Sequence, residues 1–245
     1  MPTRPIPILP RYFDREDARQ PFVNRLFDSG ARSYDRVCSI MSLGSGRWYR
    51  RQALVRAGLG TGMRVLDVAV GTGLVSRTAL EIVGSQGRGV GLDPSAGMLH
   101  QCRGIPALRL VRGRGEMLPV GDRQFDFVTL GYALRHLADL ERTFAGFRRV
   151  LRPGGRVLVL EITPPESGVS RALTRFYFRR VVPLVTRVVA REESAVLLWR
   201  YFWDTMEACV PPETILTALE RAGFAAPARH VELGLFSEYT GMRGD

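Results

Sequence analysis

The sequence predicts an α/β fold: a Rossmann-like, mostly parallel sheet of seven strands, preceded by N-terminal helices and carrying a helical insertion after strand five. Three observations lead there. From Arg64 onward, short β-rich runs alternate with amphipathic segments of helix length. The first of those runs, Val65 to Gly73 (VLDVAVGTG), passes directly into a glycine turn. The rhythm then breaks once, from Thr163 to Val210, before two last strand-like runs.

Before the sheet, Pro21 to Met41 places Phe22, Leu26, Phe27, Tyr34, Val37 and Ile40 at roughly helical spacing, and Arg47 to Ala57 continues in kind. The strands read as RVLDVA (64–69), RGVGL (88–92), LRLVR (108–112), FDFVTL (125–130) and RVLVLEI (156–162). Leu74 to Val83, Ala96 to Gln101 and Leu140 to Val150 are the connecting helices, the last stopped by Arg152-Pro153-Gly154-Gly155. Each crossover has the length of a βαβ unit. A helix at Pro212 to Ala222 leads to the final strands, Arg229 to Leu233 and Leu235 to Met242.

Length allows one domain with an appendage. The reading is an extended leader over 1–22, with four prolines in its first ten residues, and a single domain over 23–245. The leader lacks the apolar core of a signal peptide, and no apolar run is long enough to span a bilayer. The expected location is the cytoplasm, with the inner face of the membrane as a peripheral site. Cys38, Cys102 and Cys209 lie far apart, without the spacing of a disulfide framework or zinc site, and no metal is expected. A net charge of +11 favours polyanionic surfaces. With no nucleic-acid-binding signature, a membrane surface is the expected partner and nucleic acid is not. Oligomeric state stays open, a homodimer included.

Asp67 ends the first strand and precedes Gly71, Thr72 and Gly73. In an open α/β sheet, ligands bind at that carboxyl edge, where backbone N–H groups are unpaired and glycine lets a cofactor approach the chain. Asp93 closes the second strand, 20 residues after Gly73, where a carboxylate can accept both ribose hydroxyls. Its alternative role is an N-cap for the helix after Asp93-Pro94-Ser95. Dehydrogenases share the glycine pair and acidic residue, so these two elements imply an adenosine-bearing ligand without choosing between chemistries.

Further along, Gly113 to Pro119 after strand three, FDFVTLGYALRH around strand four and VLRPGGRVLVLE into strand five resemble the class I methyltransferase superfamily. Within it, LFDSGARSYDRVCSIMSLGSGRWYRR (26–51), GEMLPVGDRQFDFVTLGYALRHLAD (115–139) and RVLRPGGRVLVLE (149–161) resemble the ubiquinone/menaquinone biosynthesis C-methyltransferase family, and the resemblance runs from about Val23 to Arg243. It implies S-adenosyl-L-methionine as cofactor, with contacts from Thr72, Asp93, Arg114, Gly115 and Gly131 beside Asp67, Gly71 and Gly73. It also implies methyl transfer to a ring carbon of a prenylated hydroquinone, a lipophilic small molecule. The chain departs from the pattern at Val70, at Leu74 and at Arg114. Arginine has no acceptor for the adenine amino group, which leaves backbone N–H groups of Gly115 and Glu116, or stacking on the guanidinium, to hold the base. Cys38-Ser39, Thr205-Met206-Glu207 and Tyr239 depart as well, in the region expected to meet the acceptor.

The sulfonium supplies the electrophile, so the protein's part is to align the methyl group with the ring and to remove a phenolic proton. The resemblance assigns Arg135 to polarising a water or phenolate, although a permanently protonated guanidinium cannot itself be the base. His136 comes next, where the family has asparagine, and imidazole titrates in the useful range. His136 is therefore read either as proton acceptor or as a cap for the helix beginning near Asp139. Tyr34 is the third candidate, orienting the substrate through its hydroxyl or simply packing.

Arg171 to Arg191 holds six arginines, no acid and a series of apolar side chains. Arg171, Arg175 and Arg179 share one helical face, and Pro183 is expected to kink the helix beyond it. Such a segment suits an anionic bilayer or forms a lid with solvated arginines. Two other functions fit the sequence: a methyltransferase on another lipophilic acceptor, such as a phospholipid amine or natural-product ring, and a non-methylating cofactor-binding assembly protein.

Overall fold

The computed structural model describes residues 3–42, 44–165, 167–190 and 193–245. Helices α1 (Glu16–Met41) and α2 (Gly46–Arg56) precede β1 (Arg64–Val68), α3 (Leu74–Val83), β2 (Arg88–Asp93), α4 (Ala96–Cys102), β3 (Leu108–Arg112) and β4 (Phe125–Gly131). Next come a 3₁₀ turn (Leu134–His136), α5 (Leu140–Val150) and β5 (Leu151–Ile162). The insertion is α6 (Gly168–Phe176), a π turn (Tyr177–Val181), α7 (Val182–Ala190) and α8 (Glu193–Glu207); α9 (Pro212–Arg221), β6 (Phe224–Glu232) and β7 (Phe236–Arg243) close the chain.

The strands form one seven-stranded sheet in the order β3-β2-β1-β4-β5-β7-β6. Neighbouring strands from β3 to β5 pair in parallel, whereas β7 runs antiparallel to both β5 and β6. The chain leaves β1 toward β2 and β3 and then returns to its other side as β4. That reversal opens a crevice at the carboxyl ends of β1 and β4. The central strands are buried on both faces, which is why Val65, Leu66 and Val68 read as a nearly continuous apolar run.

One face of the sheet packs on α5 and α9 through Phe144, Phe147, Leu219 and their neighbours, and the other on α2 and α3 through Leu54, Ala79 and Val83. In α5 the Asp139 side chain accepts the Arg142 N–H, and Leu140, Thr143, Phe144, Phe147 and Val150 turn inward at helical spacing. Each large apolar side chain so buried contributes roughly 1.5–3 kcal/mol. A separate cluster of Val37, Phe178, Trp199, Phe202 and Trp203 joins α1 to the insertion.

Two expectations need correction. Residues 3–22 are not an extended leader: α1 begins at Glu16, and Ile6 and Phe13 are buried against Val23, Leu26, Leu198 and Tyr201. The Leu140 N–H donates to the Thr3 carbonyl (2.9 Å) and the Val210 N–H to the Pro5 carbonyl (2.8 Å), so proline-rich chain without regular structure is tied down by its carbonyls. Strand β6 starts at Phe224 instead of Arg229, because Pro227 sits in a register shift between Ala225 and Ala228 on an edge strand, where proline is tolerated. Within the insertion, Pro183 is the second residue of α7, directly after the π turn. Arg191 lies outside the described residues.

Candidate active site

The crevice beside β1 and β4 opens as a cleft between the sheet edge and α1. Its floor is the turn Ala69–Thr72 with Asp93–Ser95; Arg114, Gly115 and Glu116 form one wall, and Gly131 to Ala133 with His136 another. Helix α1 roofs it with Gln20, Val23, Asn24, Phe27, Tyr34 and Cys38. That roof is fastened by Asp28, whose Oδ1 accepts the Ser95 hydroxyl (2.6 Å) and the Gly97 N–H (2.8 Å).

The two glycines of the turn do different work. Gly71 has φ +57°, and the space a Cβ would take is open, so the backbone is bare toward the cleft. Gly73 has φ +87°, and a Cβ there would lie 2.5 Å from Ile105 Cδ1 and 2.8 Å from Cys102 Sγ. It therefore lets α3 start against the α4–β3 connection and does not itself line the cleft. Ala69 (φ 54°) and Tyr132 (φ 59°), the residues directly after β1 and β4, hold left-handed backbone without being glycine, a strain that concentrates at functional sites. Val70 is buried against Cys102 and Ile105, and Gly91 on the next strand leaves the room it needs.

Asp93 Oδ2 accepts the Gly71 N–H (2.9 Å) and Oδ1 the Ser95 N–H (2.8 Å). The cap of α4 is Ser95, whose hydroxyl accepts from the Met98 N–H, so Asp93 is free of that duty. Burial pushes its carboxyl from the ordinary 3.8 up to about 6, and the two backbone donors oppose the shift. Two hydroxyl donors from a ribose would complete this carboxylate. Asp67 lies beneath the turn, outside the cleft lining; Ser76 donates to its Oδ2 (2.5 Å), and burial lifts its carboxyl to about 7. Thr72 lines the cleft and donates its hydroxyl to Asp35 Oδ1 (2.5 Å). Arg114 borders the cleft with its Nε 3.8 Å from Glu116, while Glu116 Oε1 accepts the Ala138 N–H (2.6 Å). Open backbone at Gly71, an acceptor at Asp93 and bordering Gly115 and Gly131 fit an adenosine cofactor.

The three residues expected to act on the acceptor separate. Arg135 does not reach the cleft: it is fully buried, pairs with Glu161, donates from Nε to Thr205 Oγ1 (3.0 Å) and stacks 3.8 Å over the Phe202 ring. Its predicted contact with a water or phenolate is corrected to a positioning role. With Arg19, which donates to the Arg135 and Leu137 carbonyls (2.8 and 2.7 Å), it locks the 3₁₀ turn that carries His136. His136 lines the cleft beside Phe27, with Nδ1 3.4 Å from the Tyr201 hydroxyl and Nε2 buried without a partner. Burial first, then the Arg135 and Arg19 charges, hold its pKa well below the usual 6.5. It is not the cap of α5, a place that Asp139 fills. Tyr34 lines the cleft and stacks on Trp199, with ring centroids 5.8 Å apart, and burial holds its hydroxyl well above the usual range. Asp35, Arg50, Glu116 and Tyr132 belong to this site as well. Asp35 and Arg50 stood within the YDRVCS and RWYRR runs, but nothing in their spacing marked them.

Solved structures share this fold. A SAM-dependent methyltransferase of Thermotoga maritima superposes with a TM-score of 0.63 at 19% identity over 90% of this chain and 99% of its own. One from Aquifex aeolicus gives 0.58 at 17% identity over 85% and 97%. Fold and cradle together define a class I, S-adenosylmethionine-dependent methyltransferase. The model of the ubiE/COQ5 methyltransferase family matches residues 14–242, and the chain belongs to that family. It is 30% identical to the ubiquinone/menaquinone biosynthesis C-methyltransferase UbiE of Hahella chejuensis, over 92% of each chain. It is 33% identical to the demethylmenaquinone methyltransferase of Lactiplantibacillus plantarum, over 82% of this chain and 87% of that one.

Proposed function

We propose that this enzyme transfers the methyl group of S-adenosylmethionine to a ring carbon of a prenylated quinol, in quinone biosynthesis of the ubiquinone or menaquinone type. The observation that carries the reading is the placement of His136, a neutral imidazole with an unpartnered Nε2, in the same cleft as the Gly71 turn and Asp93. The names of the Hahella and Lactiplantibacillus relatives support the acceptor class. When bound, the cofactor supplies an electrophilic methyl group. Asp93 and the Gly71 backbone hold its adenosine, while Phe27, Tyr34 and Tyr132 offer an aromatic chamber for a flat, lipophilic ring. With its Nδ1 proton donated to Tyr201, His136 accepts the phenolic proton at Nε2, raising electron density on the ring carbon that takes the methyl; the hydrogen of that carbon then leaves as a proton to the ring oxygen or to solvent, which restores the aromatic ring. The test incubates purified protein with S-adenosylmethionine and demethylated prenyl-benzoquinol or prenyl-naphthoquinol. Mass spectrometry is expected to show the gain of one methyl on carbon and a loss on the order of 10²–10⁴-fold in His136→Ala. A wild-type rate in that variant would remove His136 from the mechanism, and no methylation of either quinol would remove the acceptor class.

The acceptor's prenyl tail also bears on where the enzyme works. Among the described residues no helix is long and apolar enough to cross a membrane. Val169, Leu173, Phe176, Leu184 and Val188 are nonetheless all exposed along α6 and α7, and none of the side chains of α6 is buried. The predicted basic face is partly folded inward, since Arg175 and Arg179 pair with Glu207. We propose that the apolar row enters the surface layer of an anionic bilayer, with the exposed Arg180 beside it toward the headgroups. Replacing Leu173, Phe176 and Leu184 by serine is expected to abolish sedimentation with phosphatidylglycerol vesicles. Retention equal to the parent's would overturn this surface as the membrane contact.

A further inference from the structure

Arg50, on α2, is the guanidinium of the cleft that the mechanism leaves unused. It is half-buried and lines both the cleft and an adjoining cavity bounded by Asp35, Cys38, Leu74 and Arg77. Among the described residues it makes no ion pair with a carboxylate, and its Nε is buried without an acceptor. Of the other arginines near the site, Arg114 faces Glu116, Arg135 pairs with Glu161, Arg19 with Glu16, and Arg47 with Glu81; Arg77 has no ion pair among the described residues either, but it lines the second cavity alone and does not reach the cleft. A guanidinium with a buried, unanswered Nε donor and no carboxylate partner is an arrangement that a bound anion would relieve.

The position of Arg50 says which anion. Leu74, the residue after the glycine turn, borders both cavities, and Asp35, which holds Thr72 of that turn, lines the second. Arg50 thus stands on the flank of the turn, with Thr72 and Leu74 between it and the ribose-reading Asp93. A cofactor whose ribose meets Asp93 and whose chain crosses Gly71 brings its amino-acid end to this flank. That end is a zwitterion, and Asp35 and Arg50 offer it one charge of each sign.

We propose that Arg50 binds the carboxylate of the cofactor's methionine portion, as a charge-assisted hydrogen bond that fixes the direction of the sulfonium methyl. The proposal rests on S-adenosylmethionine as cofactor and is independent of the acceptor, so it can fail while quinol methylation stands. Its test is calorimetric binding of two ligands to the full chain: S-adenosylhomocysteine, and S-adenosyl-3-thiopropylamine, the same molecule without its carboxylate. Arg50→Ala is expected to weaken the first on the order of 10- to 100-fold while leaving the second within about twofold, with Arg50→Lys between parent and Ala for the first ligand. Thermal unfolding of both variants reports that they fold. Equal losses for both ligands would overturn the proposal, as would unchanged S-adenosylhomocysteine affinity with a raised KM for the quinol, which would place Arg50 on the acceptor instead.

Discussion

Asp93 has its pKa raised by burial to about 6, so the unliganded protein carries it protonated at lower pH. A folded-state value above the unfolded one means that the folded chain holds the proton more tightly, and stability from this group declines as pH rises between about 4 and 6. A ribose that hydrogen-bonds the carboxylate reverses the preference. Affinity for S-adenosylhomocysteine is therefore expected to climb as pH rises from 5 to 7, and a flat titration curve in Asp93→Asn would confirm the group responsible. Arg135 answers to a different measurement. Arg135→Met strands Glu161 in the interior and is expected to cost about 3–5 kcal/mol in unfolding free energy, much of it regained in the Arg135→Met/Glu161→Leu pair. Calorimetric melting of both variants checks this. Asp93 was legible in the sequence because strand end and spacing fixed its address. The burial of Arg135 was not, because a polar pair separated by 26 residues in sequence gives no periodic signal.

At the level of elements, the glycine turn separates stability from binding. Gly73→Ala combines left-handed backbone with overlap on Ile105 and Cys102, and it is expected to lower unfolding free energy by more than the roughly 1–2 kcal/mol of the backbone term alone. Gly71→Ala meets only that backbone term, yet it puts a methyl where the cofactor approaches. Melting should fall further for the first, and S-adenosylhomocysteine affinity should fall further for the second. The connecting helices were read closely from sequence: α3 and α5 begin and end where periodicity and the Arg152-Pro153-Gly154-Gly155 stop place them. Strand β6 was not, since Ala225, Ala226 and Pro227 lack the β-branched alternation that marks a strand, and only pairing with β7 makes them one.

Across the whole molecule, the packing is completed by the segment 3–15, which spans from the start of α5 to the α8–α9 connection and wedges Ile6 and Phe13 under α1. Because α1 is also the roof of the cleft, the segment links global stability to cofactor capture. Removing residues 1–15 is expected to lower the melting temperature and to weaken S-adenosylhomocysteine together, whereas Phe13→Ala alone should cost about 3–5 kcal/mol. A truncated chain that melts like the parent would show that α1 holds its place without the segment. The sequence read this stretch as leader because proline density marks the lack of regular structure, which is true of it, but says nothing of burial.

The π turn between α6 and α7 has a geometric consequence for the apolar row beyond it. On an unbroken α-helix turning ~100° per residue, Leu173 and Phe176 lie at about +40° and −20° from Val169, while Leu184 and Val188 would lie at about +60° and +100°. A π turn takes up one additional residue, which sets everything after it back by about 100° and brings Leu184 and Val188 to roughly −40° and 0°. Buried Phe178 and Thr186 then fall on the opposite side. One extra residue therefore keeps two helical segments in phase, as a leap day keeps a calendar in season. Deleting Arg180 would let the turn close into ordinary α-helix and swing α6 out of line, splitting the edge without removing a single apolar side chain from it.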